Sequence, residues 1–472
     1  MADAFRFSGV ADLREAFARG EVSPLAHVEA VLDRAETAGA ELGAFITVDR
    51  AGAIAAAKEA TARIRREGPA VWRDAPLLGV PVSLKDLIAT SGLRTTRGSW
   101  AYRDWVPDAD PPAVERLRAA GAVIVGKTAT SEFGWSGSGN SLLTGPVRNP
   151  WNPKLSAGGS SGGAAVAVAA GMGTVAVGTD GAGSVRIPAA FCGVVGFKPS
   201  FGRIPYVPTS PENLSHLGPL TRNVADAVLM TAVLAGPDPR DPYSVPSAPG
   251  EWDLPAYGGR PLRIGWIDSL GDPAPEPELR DIACAAAAAL AEVGHTVTEA
   301  APPFADPYGV LETILAAAEA AATDPAAAEC AAPGRLRVAE LGHRLSAVDL
   351  SRAERDRAEL TERVRTAMAD VDLLAMPTVP LAPFAAELDR PAEQVSKGRL
   401  PWLAWTPATY PFNLTGQPAI SVPAGFTRHG LPVGLQLVGR WRADATVLAA
   451  ARDLERVRPW AAAYDRLAAT AT

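Results

Sequence analysis

Three serines and one lysine have the surroundings that covalent chemistry needs. Ser160 and Ser161 lie in G-G-S-S-G-G at 158–163, and Ser184 lies in G-T-D-G-A-G-S-V-R-I-P-A at 178–189. No histidine falls between positions 155 and 200. A serine hydroxyl is a poor nucleophile until a base takes its proton. The base must then come from elsewhere, and it need not be an imidazole. Upstream, Lys85 sits in the mostly apolar run G-V-P-V-S-L-K-D-L at 79–87. A lysine desolvated beside a strand loses part of its preference for the charged form and can act as a base near neutral pH. Lys85, Ser160 and Ser184 are therefore the candidate catalytic residues.

These residues need a scaffold of alternating strands and helices. Periodicity predicts helices at 10–19, 24–38 and 50–66, with Ser23-Pro24 a cap and first-turn signal for the second. A strand at 79–84 carries the chain into Lys85. A helix at 112–120 and a strand at 123–125 follow, then a buried helix at 162–170 and a strand at 174–178. This alternation predicts an α/β layered fold. Residues 238–261 read as a surface loop. Beyond it come a strand at 262–267, a helix at 278–293, an alanine-rich helical stretch at 316–331, a helix at 353–371, and strands at 373–376, 419–422 and 434–438. No period of 20–50 residues is visible.

Composition narrows the class. The 472 residues are 47% hydrophobic and 21% charged, as in ordinary globular proteins. A net charge of −7 provides no excess of cations for nucleic acid. Cys192, Cys284 and Cys330 are widely spaced, which fits neither a disulfide framework nor a zinc site. The N-terminus lacks the apolar core of a signal peptide, so the expectation is a cytoplasmic protein. Residues 155–179 carry no charge and are long enough to span a membrane, but glycines and hydroxyls interrupt them. A buried helix followed by a buried strand explains them better, and no membrane association is expected.

Two motif matches are set aside on structural grounds. G-A-V-I-V-G-K-T at 121–128 fits a phosphate-loop pattern, but its middle reads as a strand, not as a cradle of inward N–H groups. G-G-S-S-G at 158–162 fits a nucleophile elbow with Ser160 as nucleophile. That turn requires a buried strand just before the serine, and here a proline-broken loop precedes it. An α/β-hydrolase-type esterase is kept as an alternative. His216 is read as more structural than chemical.

Taken together, the motifs at 79–86, 158–163 and 178–189, with flanking stretches at 117–133 and 218–226, resemble those of the amidase signature hydrolases. The resemblance runs from about Phe7 to about Arg440. It implies a large mixed central β-sheet covered by helices on both faces, as a single large domain with an inserted helical region. The expected segments are 1–70 (N-terminal helical), 71–236 (signature core with the catalytic relay), 237–400 (variable insert and substrate side) and 401–472 (C-terminal core strands and helix). It implies that the peptide bond before Ser160 is cis, and that neutral Lys85 takes a proton from Ser160, which takes one from Ser184. Ser184 then attacks the amide carbonyl, and N–H groups around Gly181, Ala182, Gly183 and Ser184 hold the oxyanion. Ser161 and Asp180 hold the relay in place. Ala182 stands where the family commonly has glycine, which bears on acyl-group size. No metal or organic cofactor is implied.

The expected partner is a small neutral amide with an apolar or aryl portion. Phe133 and Trp135 are expected to face the cleft, and Trp402, Trp405, Tyr410 and Phe412 to close it. Residues 401–423 carry no charge, which disfavours a charged substrate such as glutamine. The alternative function is the glutaminase subunit of a tRNA-dependent amidotransferase, whose characteristic stretch before the late N-L-x-G motif is missing here. Oligomeric state is left open, a homodimer included.

Overall fold

Short runs of β-branched and small apolar residues supply eleven strands, and these pair into one mixed sheet. The computed structural model describes residues 2–248, 250–254, 260–323, 329–391 and 401–470. In chain order the strands are β1 (Phe45–Val48), β2 (Pro81–Lys85), β3 (Val123–Thr128), β4 (Val175–Asp180), β5 (Val195–Lys198), β6 (His216–Thr221), β7 (Arg263–Trp266), β8 (Thr296–Glu299), β9 (Leu373–Pro377), β10 (Ala419–Phe426) and β11 (Pro432–Gly439). Their order across the sheet is β1-β3-β2-β4-β6-β5-β10-β11-β9-β7-β8. Strands β2, β3 and β4 run parallel, as do β7, β8 and β9, while β5, β6, β10 and β11 pair antiparallel. Each of the four expected segments contributes at least one strand to this sheet.

The central strands are buried along their whole length, so they read as continuous apolar runs without alternation. The helix Gly162–Ala169 lies against them with every residue buried. At Gly163 only glycine fits. A Cβ on Gly163 would stand 2.4 Å from the Ala44 carbonyl oxygen and 2.5 Å from the Ala129 nitrogen. The uncharged stretch that contains this helix is thus an interior helix running into β4. No helix of the described residues is long and apolar enough to cross a membrane.

Several boundaries differ from expectation. The N-terminal segment contains strand β1, which four half-buried residues without a clear period do not announce. Strand β3 runs on to Thr128, and so includes the glycine and lysine of the phosphate-loop match. The helix expected at 353–371 spans Ala347–Ala367, because Ser346 and Asp349 form a reciprocal capping box at its start. Of the alanine-rich stretch, the helix Tyr308–Ala322 covers the start, residues 324–328 lie outside the described residues, and the next helix, Pro333–Gly342, begins beyond it. Part of the 238–261 loop is likewise outside them.

Candidate active site

Lys85 ends β2 and Asp180 ends β4, and these strands are parallel neighbours with Leu84 opposite Val177. Their carboxyl ends therefore open on the same edge, where ligands bind in open α/β sheets. The glycine-rich turns after β4 and before the helix Gly162–Ala169 bring both serine motifs to that edge.

Lys85 is fully buried. Its Nζ lies 2.7 Å from Ser160 Oγ and 2.8 Å from Thr179 Oγ1. Burial pushes its pKa down to about 7, with Asp180 pulling it partly back. Lys85 does not pair with its chain neighbour Asp86. That carboxylate instead accepts hydrogen bonds from Thr96 and from the Gly98 N–H. Thr179 belongs to the motif at 178–189, but nothing in that motif assigned it a contact with Lys85. It reaches Lys85 because adjacent parallel strands place it there.

Ser160 follows a cis Gly159–Ser160 peptide. Glycine at 159 is dictated by packing, since a Cβ there would stand 2.2 Å from the Gly139 nitrogen. The residue is not on a strand-to-helix elbow: the chain before it is irregular. Among the described residues no histidine is hydrogen-bonded to Ser160 or Ser184. His216 is buried with Nε2 3.1 Å from Lys198 Nζ, and its Nδ1 is 2.6 Å from the Leu214 carbonyl.

Ser184 lies just ahead of the helix Arg186–Cys192 but does not cap it, because the N-cap residue is Val185 and no side chain caps that end. Ser184 and Ser160 line the same cleft. No hydrogen bond joins their hydroxyls, so the last link of the implied relay is open in this structure. The Ser161 hydroxyl donates to the Thr179 carbonyl at 3.1 Å, and its N–H donates to the Ser184 carbonyl at 3.1 Å. It thereby ties the end of β4, where Thr179 meets Lys85, to the Ser184 turn.

Asp180 organises that turn. It accepts from the Gly183 and Val185 N–H groups at 2.7 and 3.1 Å, from Arg186 Nε and Nη2 at 3.0 and 2.9 Å, and from Asn413 Nδ2 at 2.9 Å. Burial alone would raise its pKa, but Arg186, Lys198 and the Asn413 bond hold it well below the usual carboxylate range. The Gly183 N–H is therefore committed to Asp180, which corrects the expectation that it faces an oxyanion. The N–H groups of Gly181, Ala182 and Ser184 have no hydrogen-bond partner among the described residues and remain open to one. Gly183 is required for another reason: at φ +125 its Cβ would lie 2.4 Å from Thr409 Oγ1. Arg186 and Asn413 escaped the sequence reading. A fully buried arginine two residues past the serine is recognisable only once its acceptors from residues 409, 413 and 436 are in place.

The cleft above the serines has a volume of about 290 Å³. Leu87, Ile88, Phe133, Trp135, Trp402 and Leu403 form its apolar walls. Trp135 stacks on Trp402 with centroids 6.2 Å apart, and the Pro333–Gly342 helix approaches so closely that only glycine fits at 334. Trp405, Tyr410 and Phe412 do not join this wall. Trp405 packs on Phe191 and Phe384, Tyr410 beside Tyr308, and Phe412 against Phe304, all in the core. The charge-free stretch 401–423 is only one side of the cleft. Arg97, Glu212 and Glu319 line other parts of it. Among the described residues no group of three or more His, Cys, Asp or Glu side chains is placed to hold a metal ion.

A buried lysine on a serine, a second serine in a glycine turn, and an apolar cleft over both suit acyl transfer. The family profile for Amidase matches residues 26–448. The chain belongs to the amidase family and is an amide-hydrolysing enzyme of the amidase signature type. It is 38% identical to an acylamidase of Rhodococcus erythropolis over 462 residues, which cover 95% of each chain. It is 36% identical to the A subunit of the glutamyl-tRNA(Gln) amidotransferase of Roseiflexus castenholzii, over 96% of each chain. Its structure is similar to that of a bacterial aryl acylamidase of the amidase signature family, with a TM-score of 0.89, 30% identity and 98% of each chain covered.

Proposed function

We propose that this enzyme hydrolyses small amides with an apolar or aryl portion through an acyl-enzyme on Ser184. The observation that carries the reading is Lys85 Nζ, fully buried and 2.7 Å from Ser160 Oγ, with a pKa pushed down to about 7. Near neutrality much of this lysine is uncharged, so it can accept the Ser160 proton while Ser160 accepts that of Ser184. Ser184 Oγ then bonds to the carbonyl carbon. The carbonyl oxygen gains charge, which the open N–H groups of Gly181, Ala182 and Ser184 can receive. Collapse breaks the carbon–nitrogen bond, and the amine leaves with the proton returned through Ser160. Water attacks the acyl-enzyme by the same relay and frees the acid and Ser184.

The apolar walls at Leu87, Phe133, Trp135 and Trp402 support an aryl or apolar amide, as does the likeness to an acylamidase and an aryl acylamidase. The likeness to the A subunit of an amidotransferase supports a second reading, a glutaminase acting with partner proteins. Purified protein given an acyl anilide, an aliphatic amide, a cyclic amide and glutamine separates the two. Faster anilide hydrolysis without any added partner is the expected result. Glutamine hydrolysis that needs a second protein overturns it.

A further inference from the structure

Two arginines flank the aromatic wall of the cleft, and their surroundings are opposite. The guanidinium carbon of Arg335 lies 4.3 Å from the Phe133 ring centroid, and its charge is met by Glu319 at 2.8 Å and Glu132 at 3.9 Å. Arg97 lines the same cleft with its guanidinium carbon 4.7 Å from the Trp105 ring centroid and 5.2 Å from that of Tyr102. Its buried Nε has no hydrogen-bond partner. No carboxylate of the described residues lies within 4.0 Å of its guanidinium. Glu212, on the same cleft, is engaged by the Ser215 hydroxyl at 2.6 Å.

The backbone holds Arg97 in this place. It sits at φ +56, in the left-handed region that favours glycine. Its N–H donates to the Asp86 carbonyl at 3.2 Å, and its carbonyl accepts from the Phe133 N–H at 2.8 Å. The residue is thus pinned between the chain just after Lys85 and a wall of the cleft. A partly buried guanidinium normally finds a carboxylate or phosphate. Here two rings, set nearly at right angles, hold the guanidinium carbon in place while its donors remain unmet by protein, which leaves it able to pair with an anion.

We infer that Arg97 determines specificity by pairing with a carboxylate on the substrate, so that the preferred class is aryl amides bearing a carboxylate. This rests on the amidase reading above and adds a cationic contact to a cleft whose two carboxylates, Glu212 and Glu319, are already engaged by Ser215 and Arg335.

The test reads binding, so that turnover does not enter. Full-length protein carrying Ser184→Ala is titrated by calorimetry with acetanilide, para-acetamidobenzoate and succinanilate, which place the carboxylate on neither side, the amine side or the acyl side. The tighter of the two carboxylates is expected to bind roughly 10- to 100-fold better than acetanilide, the range of a charge-assisted hydrogen bond. Adding Arg97→Gly, which suits the φ at 97, should collapse that ratio to about one, and Arg97→Lys should keep part of it. A ratio near one in the parent protein, or a ratio unchanged by Arg97→Gly, overturns the inference. Failure of the amidase reading shows separately, as no turnover of any anilide by protein that retains Ser184.

Discussion

Lys85 Nζ and Ser160 Oγ stand 2.7 Å apart although 75 positions separate the two residues, and both are buried. The contact joins the end of strand β2 to a turn that no strand precedes. Its removal is the most direct test of the proposed relay. Lys85→Ala and Ser160→Ala should each lower amide hydrolysis by roughly 10²–10⁴-fold or more, as loss of an acid–base group does. Lys85→Arg should fail as well, because guanidinium stays charged. Steady-state rates on an acyl anilide measure this. Near-normal activity of Lys85→Arg would leave the lysine with a structural role only.

The pH dependence follows from the same side chain. Neutral Lys85 is the active form, and its pKa is pushed down to about 7. kcat/KM should therefore rise with pH through about 7 and level off above it. A profile still rising at pH 9 would mean that Lys85 keeps the pKa of an ordinary lysine, and one flat between pH 6 and 9 would assign the base elsewhere.

Stability should show the matching sign. Lys127, buried with Nζ donating to the Ile88 carbonyl and to Thr90, is also pushed by burial to about 7. Unfolded, both lysines hold their protons up to about 10.5. Between about 7 and 10.5 the unfolded chain binds more protons, so stability rises with pH across that window. Denaturant titrations at pH 7 and pH 9.5 should show a gain that shrinks in Lys85→Met and again in Lys85→Met with Lys127→Met. An unchanged gain would mean that these lysines stay charged in the folded state.

Ser184 should be the acylated residue. A fluorophosphonate is expected to add one label, found on the peptide that contains Ser184. A label on Ser160 instead would reverse the assignment of nucleophile.

The turn around Ser184 depends on the buried ion pair of Asp180 with Arg186, both wholly inaccessible to solvent. Asp180→Ala leaves that guanidinium without its main partner and should cost about 3–5 kcal/mol in denaturant unfolding. Gly159→Ala drives a Cβ onto the Gly139 backbone, which cannot yield as a side chain would. It should displace Ser160 and abolish activity at a stability cost of about 1–3 kcal/mol.

Local order in the sequence was enough to expect seven of the eleven strands, though not β1, β5, β6 or β8, and to single out three candidate residues for the site. Lys85, Ser160 and Ser184 each sit in a short motif of glycines and small residues, and such residues are tied to tight turns by sterics that act over a few positions. The apolar runs of β2, β3 and β4 announce buried strands for the same local reason. What tertiary structure alone decided is everything that requires two distant segments to meet. Thr179 touches Lys85 only because β2 and β4 pair, and the Gly183 N–H turns to Asp180 only because Arg186 and Asn413 converge on that carboxylate. The aromatics of 402–412 look alike in sequence, yet Trp402 enters the cleft and Trp405, Tyr410 and Phe412 pack away from it. Aromatic side chains are sorted by the shape of the space left to them, and that space is set by segments distant in the chain: the helix at Tyr308–Ala322 for Trp402 and Tyr410, and Phe191 with Phe384 for Trp405.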